Sequence, residues 1–443
     1  MILQNTPRRL LLLIIDCVIL YISFIIAVTI RNGYVPEHEY YLSSLLPYFS
    51  LIFLTTVIIF YIYGLYDKPT LRLIRELSQR VTSSQILSGV SAVIIFYSLP
   101  SLGFAPKTIL FIYVIVSSIL ITVWRYFAFK IVLRYRKQHS IIIGSGKSFH
   151  KLVNELNTNP HTGITLISVI DLDTYDNKKI KEVIESIKPD SVILDMRDDR
   201  VKMLFSTMYE KLFSGTAILD IINVYEDVFD MEPLDLLNQE WVFRHISKKQ
   251  KFSFLKRIID LSISLPAFIL SFLFYPFVYI AIKIEDGGPI FFKPVRIGKH
   301  GKNVQMYKFR SMSIVSADDR NDSESRVTKV GSFIRKTRID ELPQLWNVIV
   351  GDLSLIGPRP ESPTLVKEYE KNIPFYQVRH LTRPGLSGWA QIEQRGAPKF
   401  GVDVNQTETK LSYDLYYIKH HSILLDIAII LKTFKVLLSK SGI

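Results

Sequence analysis

The sequence predicts a three-part membrane protein. A membrane α-helical bundle of four transmembrane helices spans 1–137, a Rossmann-like α/β domain spans 138–247, and an α/β domain anchored by a re-entrant helix spans 248–443. Three observations carry this. Four apolar runs crowd the first third of the chain. From His139 the pattern changes to short apolar strands alternating with amphipathic helices. A fifth apolar run, within Phe252–Ile284, is basic on both flanks and holds two prolines.

The 443 residues allow two or three domains, and a hydrophobic content of 48% exceeds what a soluble enzyme needs. Lys and Arg number 54 against 41 Asp and Glu, a net charge of +13. Such an excess suits nucleic acid, anionic lipid or phosphorylated substrates; the hydrophobicity favours the membrane, and no nucleic-acid partner is expected. The single cysteine, Cys17, excludes an internal disulfide, and no Cys/His cluster suggests structural zinc.

The four runs are Leu10–Ile30, Leu45–Tyr63, about Ile86–Leu99 and Thr108–Val132. A spanning helix takes about 20 apolar residues, and the third run approaches that only if Val81–Gln85 joins it. The first run is long for a signal peptide and no small-x-small cleavage site follows, so it reads as a retained helix. Arg8 and Arg9 precede the first run, Lys68, Arg72, Arg75 and Arg80 fill the second connection, and Lys130, Arg134, Arg136 and Lys137 close the fourth. The positive-inside rule then places both ends of the unit, and residue 138 onward, in the cytoplasm. Asp16, about two turns from Arg8 and Arg9, reads as an ion-pair or polar-packing residue, with an intramembrane functional carboxylate as the alternative.

In the middle domain, strands are predicted at Ser140–Ile143, Thr165–Ile170, Ser191–Leu194 and Ala217–Ile222. Helices are predicted through about Asn157, at Lys178–Ile187 and at Val201–Phe213. Gly144-Ser-Gly146 after the first strand suits a dinucleotide turn, but Phe149 stands where the third glycine would be, and a Walker loop would need glycine at Ile141. A regulatory or structural domain and a nucleotide-binding one both remain open.

The fifth run is preceded by Lys248, Lys249, Lys251, Lys256 and Arg257 and followed by Lys283, Lys293, Arg296 and Lys299, so both flanks favour the cytoplasmic side. Pro266 and Pro276 each remove a helical hydrogen bond. A helix broken near Tyr275-Pro276 can enter the bilayer and return on the same face; a kinked spanning helix is the alternative. Lys248–Lys249 and Lys256–Arg257 read as lipid-headgroup contacts.

The remaining segment concentrates basic turns. Gly287-Gly288-Pro289 leads into a strand, Arg296–Lys302 is a glycine-rich hairpin signal, and Lys308 and Arg310 share a face if extended. A polar loop at Ser313–Thr328, Arg335, the pair Asp340–Glu341, the rigid turn Gly357-Pro358-Arg359-Pro360, Arg383-Pro384-Gly385 and Tyr413-Asp414 follow. Attack on a phosphoryl group between two anions needs its oxygens neutralised, and the Arg fork grips two at once. One carboxylate can act as covalent nucleophile while a second holds Mg²⁺. Taken alone, Asp340 reads as a helix N-cap, Glu341 as a first-turn charge and each Arg as a surface charge. Their co-occurrence in one segment favours phosphate.

On the blocks YKFRSM, IDELPQLWNV, GDLSLIGPRP, RPGLSGWAQ and YDLYYIKHHS, the segment Phe252–Ile443 resembles the bacterial sugar transferase family, the monotopic polyprenyl-phosphate phosphoglycosyl transferases. The helical unit and α/β domain ahead of it resemble the family's long form, which primes exopolysaccharide, capsule or O-antigen (lipopolysaccharide) synthesis. The resemblance implies that 248–443 is a catalytic domain that transfers a sugar 1-phosphate from a UDP-sugar to undecaprenyl phosphate and releases UMP. The site would lie on the cytoplasmic face of the bacterial inner membrane. By position, Asp340 would attack the β-phosphate to give an aspartyl-phosphosugar intermediate and Glu341 would hold the Mg²⁺ cofactor. Lys308, Arg310, Arg335, Arg359 and Arg383 would contact phosphates or uridine, and Asp414 matches a further functional acidic position. Pro276 matches the proline of the re-entrant break; Tyr275 stands where the family often has Ser, so the hydroxyl-to-backbone bond there is in question. The long form also suggests a homodimer. Two other functions fit parts of the chain: an NAD-dependent nucleotide-sugar oxidoreductase or epimerase built on the middle domain, and a non-catalytic scaffold for polymer assembly. The last apolar pattern, Ile423–Leu438, reads as an interfacial amphipathic helix or as core.

Overall fold

Apolar runs that must satisfy their own backbone groups become helices, and four of them open the chain: α1 (Asn5–Asn32), α2 (His38–Ile62), α3 (Ile74–Ser98) and α4 (Lys107–Leu133). The computed structural model describes residues 5–32, 38–66, 74–98, 107–133, 138–159, 162–175, 177–246, 253–285, 287–313, 327–394 and 403–438. Contacts divide the chain into two units, Met1–Val228 and Phe229–Ile443. Within the helices, Leu11–Arg31, Ser44–Ile62 and Lys107–Phe127 are long and apolar enough to cross a membrane. Among the described residues, three of the four expected spans qualify by this measure. The first half of α3 carries Arg75, Glu76, Gln79, Arg80 and Thr82–Gln85, and Ser84 and Gln85, like Ser88 a turn later, are buried in the unit. The helices share a core of Leu20, Phe24, Phe49, Ile52, Phe96 and Tyr113. Of the cations that set the expected orientation, Lys68, Arg72, Arg134, Arg136 and Lys137 lie outside the described residues.

Asp16 is fully buried and paired. Arg125 of α4 and the Tyr66 hydroxyl (2.8 Å) both donate to its Oδ2, and Arg125 Nη1 donates to Leu65 O at 3.0 Å. The ion-pair reading holds, with Arg125 as the partner. Arg125→Leu is expected to lower the stability of the detergent-solubilised protein by about 3–5 kcal/mol, because it strands a buried carboxylate. Asp16→Leu added to Arg125→Leu should restore most of the thermal midpoint.

The next elements are β1 (Gln138–Gly144), α5 (Lys147–Thr158), β2 (Ile164–Asp171), α6 (Asn177–Ser186), β3 (Ser191–Leu194), α7 (Asp199–Lys202), α8 (Phe205–Phe213), β4 (Ala217–Asp220) and α9 (Ile221–Phe229). The strands form one parallel sheet in the order β2-β1-β3-β4, the arrangement of one half of a doubly wound fold. The last strand is shorter than the sequence suggests because Asp220 caps α9, its Oδ1 accepting from Ile222 N at 3.1 Å. The Phe149 ring is buried against β1, where a Cβ on Gly144 would stand 2.9 Å from it. At the carboxyl ends of the strands, Arg200 donates to Ser145 Oγ (3.0 Å), Leu172 O (2.9 Å), Asp173 (2.9 Å) and Asp198 (2.7 Å). The chain's own guanidinium thus crosses the crevice that a dinucleotide would use.

In the second unit, α10 (Gln239–Ile246) packs Trp241 beneath Lys419, 5.6 Å from the ring centroid. Residues 229–246, grouped with the middle domain by sequence, thus belong to the C-terminal contact unit. The fifth apolar run is two helices, α11 (Ser253–Ser271) and α12 (Tyr275–Glu285), bent by 53° at 272–274. Pro266 stays inside α11, while Pro276 is the second residue of α12. Lys256 and Arg257 do not reach outward to headgroups: Lys256 Nζ bonds Asp426 at 2.7 Å, and Arg257 donates to Val348 O and Ile349 O at 2.5 and 2.6 Å. Lys248 and Lys249 lie outside the described residues.

The expected α/β domain has only two-stranded pairings among the described residues. β5 (Phe291–Phe292) runs antiparallel to β8 (Lys308–Phe309), and β6 (Val295–Ile297) pairs with β7 (Asn303–Gln305) as the hairpin signal indicates. β9 (Ser354–Ile356) lies parallel to β10 (Gly385–Ser387). Gly- and Pro-rich turns keep these strands to two or three residues. The helices are α13 (Lys329–Lys336), α14 (Gln344–Val350), α15 (Pro363–Asn372), α16 (Trp389–Glu393), α17 (Val404–His420) and α18 (Ile423–Leu438). The predicted polar loop falls, at 314–326, outside the described residues. α18 buries Ala428 and Ile429 and turns Lys432 inward to Glu393 (3.0 Å) and over the Trp389 ring, which favours core packing for this segment.

Candidate active site

Three short elements converge on Glu341. Lys308 Nζ, from β8, donates to Glu341 Oε1 at 3.0 Å; Arg359 Nη2, from the turn after β9, donates to the same oxygen at 3.0 Å. Arg338 Nη1 lies 3.7 Å from Oε2. Arg338 holds a left-handed backbone, φ 58°, which costs a non-glycine residue energy. That kink turns the chain out of α13 into a 3₁₀ turn, Ile339–Glu341, and sets the two carboxylates side by side ahead of α14. Neither carboxylate is the helix cap: Pro343 occupies the N-cap of α14. Asp340 is 8% exposed, and its Oδ1 is buried without a hydrogen-bond partner among the described residues.

The pair is electrostatically split. Burial lifts Asp340 to about 6, the Glu341 charge adds to the rise, and Lys308, Arg338 and Arg335 pull against it. Burial also opposes ionisation of Glu341, but Arg359, Lys308 and Arg338 together outweigh it and hold that group at about 2. Adjacent carboxyls pushed apart in this way divide into two roles. Glu341 gathers the cations. Asp340 keeps a more basic carboxylate with one uncommitted oxygen, suited to attack on an electrophile that the cations hold.

The other expected residues are placed unevenly. Arg335, at the end of α13, is half-buried and its charge reaches Asp340. Arg310 continues the pairing one residue past β8, its N donating to Ile290 O at 2.8 Å. Its guanidinium lies on Gly288, where a Cβ would overlap Nη1, and its Nε donates to Met312 O at 2.8 Å. Arg383 is half-buried; its backbone locks against the Arg359 turn, Ser354 N donating to Pro384 O at 2.9 Å and Gly385 N to Pro358 O at 3.0 Å. A Cβ on Gly385 would overlap the backbone at Gly357, so the two turns interlock only through glycine. Asp414 pairs with Arg379 at 2.8 Å, both side chains 2% exposed. Arg379 also donates to Tyr376 Oη (2.7 Å) and to Arg359 O (2.9 Å). Asp414 therefore reaches the site through Arg379. Sequence reasoning missed Arg379, Tyr376 and the half-buried Glu361–Lys410 pair. The closeness of Arg379 to the Arg383 turn was a signal; its pairing with Asp414 was not visible.

The helix break belongs to the same frame. The Tyr275 ring packs 4.8 Å from Phe309, next to Lys308, and 5.1 Å from Phe272. Ser271 Oγ donates to Phe268 O at 2.6 Å, so a hydroxyl-to-backbone bond stands one turn before Tyr275-Pro276.

Because Asp340 titrates at about 6 in the fold against 3.8 ordinarily, its contribution to stability is full below pH 3.8 and is lost as pH rises through 6. Asp340→Asn should therefore raise the thermal midpoint at pH 8, by at most about 3 kcal/mol in stability at 1.4 kcal/mol per unit, and change little at pH 4. A variant equally destabilised at both pH values would contradict this electrostatic picture.

A family model described as bacterial sugar transferase matches residues 251–440, and one described as CoA-binding domain matches 61–228. The chain is 37% identical over 269 residues to the UDP-N-acetylgalactosamine-undecaprenyl-phosphate N-acetylgalactosaminephosphotransferase of Aeromonas hydrophila, covering 58% of this chain and 61% of that one. It is 39% identical over 193 residues to the UDP-glucose:undecaprenyl-phosphate glucose-1-phosphate transferase of Klebsiella pneumoniae, covering 42% and 41%. The alignments thus span less than two thirds of either relative. With the uncharacterized sugar transferase EpsL of Bacillus subtilis (strain 168), identity is 39% over 199 residues, 43% of this chain and 90% of the relative.

Proposed function

This chain belongs to the bacterial sugar transferase family, and from that premise we propose that it transfers a sugar 1-phosphate from a UDP-sugar to undecaprenyl phosphate, releasing UMP. The observation that carries the reading is the uncommitted, buried Asp340 Oδ1 beside a carboxylate that anchors three cations. Lys308 has further N–H donors beyond the one spent on Glu341, as has Arg359, and these, with Arg335, face the charge of a diphosphate. Asp340 Oδ1 attacks the β-phosphorus; the new O–P bond forms as the bond to the bridging oxygen breaks, and the electron pair leaves with UMP. A phosphate oxygen of undecaprenyl phosphate then attacks the aspartyl-phosphosugar, and the Asp340 carboxylate is regenerated. The second step needs no new acid or base, because the acceptor is already an anion.

Magnesium fits this donor set. Asp340 and Glu341 offer hard oxygens, and Mg²⁺ often takes one or two carboxylates together with waters and substrate phosphates. Glu341 would hold it through Oε2, whose one cation, Arg338, stands back at 3.7 Å while Lys308 and Arg359 take Oε1; when bound it would neutralise diphosphate charge.

The membrane half of the reading rests on α11 and α12. Their exposed apolar residues include Ile269, Leu270, Leu273, Phe277 and Ile280, around a 53° bend between two basic flanks. α11 lies along its own domain from Lys256 to Phe268, whose ring is 5.7 Å from Trp346. A helix so held, with its tip free and apolar, suits one leaflet rather than a full crossing. The site then stands at headgroup height on the cytoplasmic face of a bacterial inner membrane, where a lipid phosphate and a soluble nucleotide can meet. Initiation of exopolysaccharide, capsule or O-antigen synthesis by a multi-pass homodimer completes the proposal.

The test is UMP release by the full chain in membranes with Mg²⁺, undecaprenyl phosphate and a panel of UDP-sugars that includes UDP-N-acetylgalactosamine and UDP-glucose. Asp340→Asn should cut turnover by at least about a thousandfold. In the parent, kcat/KM should fall about tenfold per unit below pH 6, as the nucleophile takes up its proton. Turnover by Asp340→Asn within tenfold of the parent would refute the assignment.

A further inference from the structure

Three side chains on the first turns of α11 bind the elements that carry the site. Arg257 sends one guanidinium nitrogen to Val348 O and the other to Ile349 O, closing the C-terminal end of α14, the helix that begins directly after Asp340 and Glu341. The same guanidinium lies beside Gly351, whose φ of 102° ends that helix. A cation here also complements the exposed carbonyls of a helix end. Asp260, 3% exposed, accepts from Ser354 Oγ at 2.8 Å and from Leu355 N at 3.1 Å. Those residues form β9, which runs straight into Gly357-Pro358-Arg359. Lys256 adds the third link, bonding Asp426 at 2.7 Å and Tyr417 Oη at 3.2 Å.

A helix that served only as an anchor would need an apolar surface and a basic end. α11 has both, yet it commits Arg257 and Asp260 to backbone groups on the two segments that hold Asp340 and Arg359. We propose that Arg257 and Asp260 are positioning residues, through which the membrane-inserted helix fixes the spacing between the carboxylate pair and the Arg359 turn. Seating of the helix in the leaflet and geometry of the site are then one property. Arg257 acts on Asp340 and Glu341 through α14; Asp260 acts on Arg359 through β9. Neither touches substrate. The inference rests on the phosphotransfer reading for its kinetic consequence, and on the hydrogen bonds alone for its structural one.

The experiment compares the full-length parent with Arg257→Met, Arg257→Lys and Asp260→Asn in membranes. Three quantities are read: hydrogen exchange at the amides of 269–280, which reports seating of the helix tip in the leaflet, kcat and KM for UMP release, and hydrogen exchange at the amides of 344–357. Protection at 269–280 should match the parent in all three variants. Arg257→Met and Asp260→Asn should lose 10- to 100-fold in kcat with KM within about threefold, since phosphate-holding groups remain but are misplaced. Arg257→Lys, which keeps a donor for the carbonyls, should recover part of the loss. Exchange across 344–357 should quicken at least tenfold in Arg257→Met. Turnover that falls only in step with lost protection at 269–280 would reduce the two residues to anchors and overturn the proposal, as would unchanged kcat with unchanged exchange at 344–357. If the parent itself releases no UMP, the exchange result still decides the structural claim, and the failure belongs to the reaction assignment.

Discussion

One oxygen, Glu341 Oε1, holds the candidate site together. It accepts from Lys308 on a two-residue strand and from Arg359 on a proline-rich turn, each at 3.0 Å. Neither element is rigid by itself. A two-residue strand has little ladder to stiffen it, and a turn depends on what it packs against. With Glu341 ionised, both cations are fixed and their charge is shared across the place where a diphosphate would lie. The same concentration of positive charge offsets the burial of Glu341, so the anchor stays charged. Asp340, one residue away and itself buried, receives less of that compensation, and its carboxylate remains the more basic of the two.

Around this pivot the structure spends much of its polar bonding on backbone placement. Arg379 and Asp414 form a buried pair whose link to the site is the Arg359 carbonyl. Gly357 and Gly385 let two turns interlock at backbone distance. Tyr275 joins the helix break to Phe309, the neighbour of Lys308. Buried ion pairs contribute little net stability once desolvation is counted, and their better-attested use is to fix one arrangement among several. That fits a site whose chemistry depends on a few side chains brought from separate short segments.

Much of this was legible in the sequence, for reasons particular to each residue. Apolar runs of helical length reveal helices, and Pro276 between two basic flanks marks the break because proline and charge act locally. Asp340–Glu341 and the Arg359 turn stood out as neighbouring residues of unusual type. What failed to read was long-range or conditional. Arg310 follows Lys308 at strand spacing, but that spacing says nothing of Gly288 and Met312 O, against which its guanidinium lies. Lys256 and Arg257 look the same in sequence whether they reach lipid phosphates or helix carbonyls. α3 was read from its apolar half, and the buried Ser84, Gln85 and Ser88 ahead of it were not visible as packing residues. Asp16 drew attention as a buried acid, yet its partner Arg125 lies three helices away.

The division of labour within the carboxylate pair is the central claim, and the most direct measurement is the mass of the protein itself. The full chain, incubated with Mg²⁺ and its UDP-sugar in the absence of undecaprenyl phosphate and then quenched in acid, should gain the mass of one sugar phosphate. Peptide mapping should place it on Asp340, and undecaprenyl phosphate should discharge it. An adduct on Glu341, or sustained UMP release with no adduct on either carboxylate, would contradict the account.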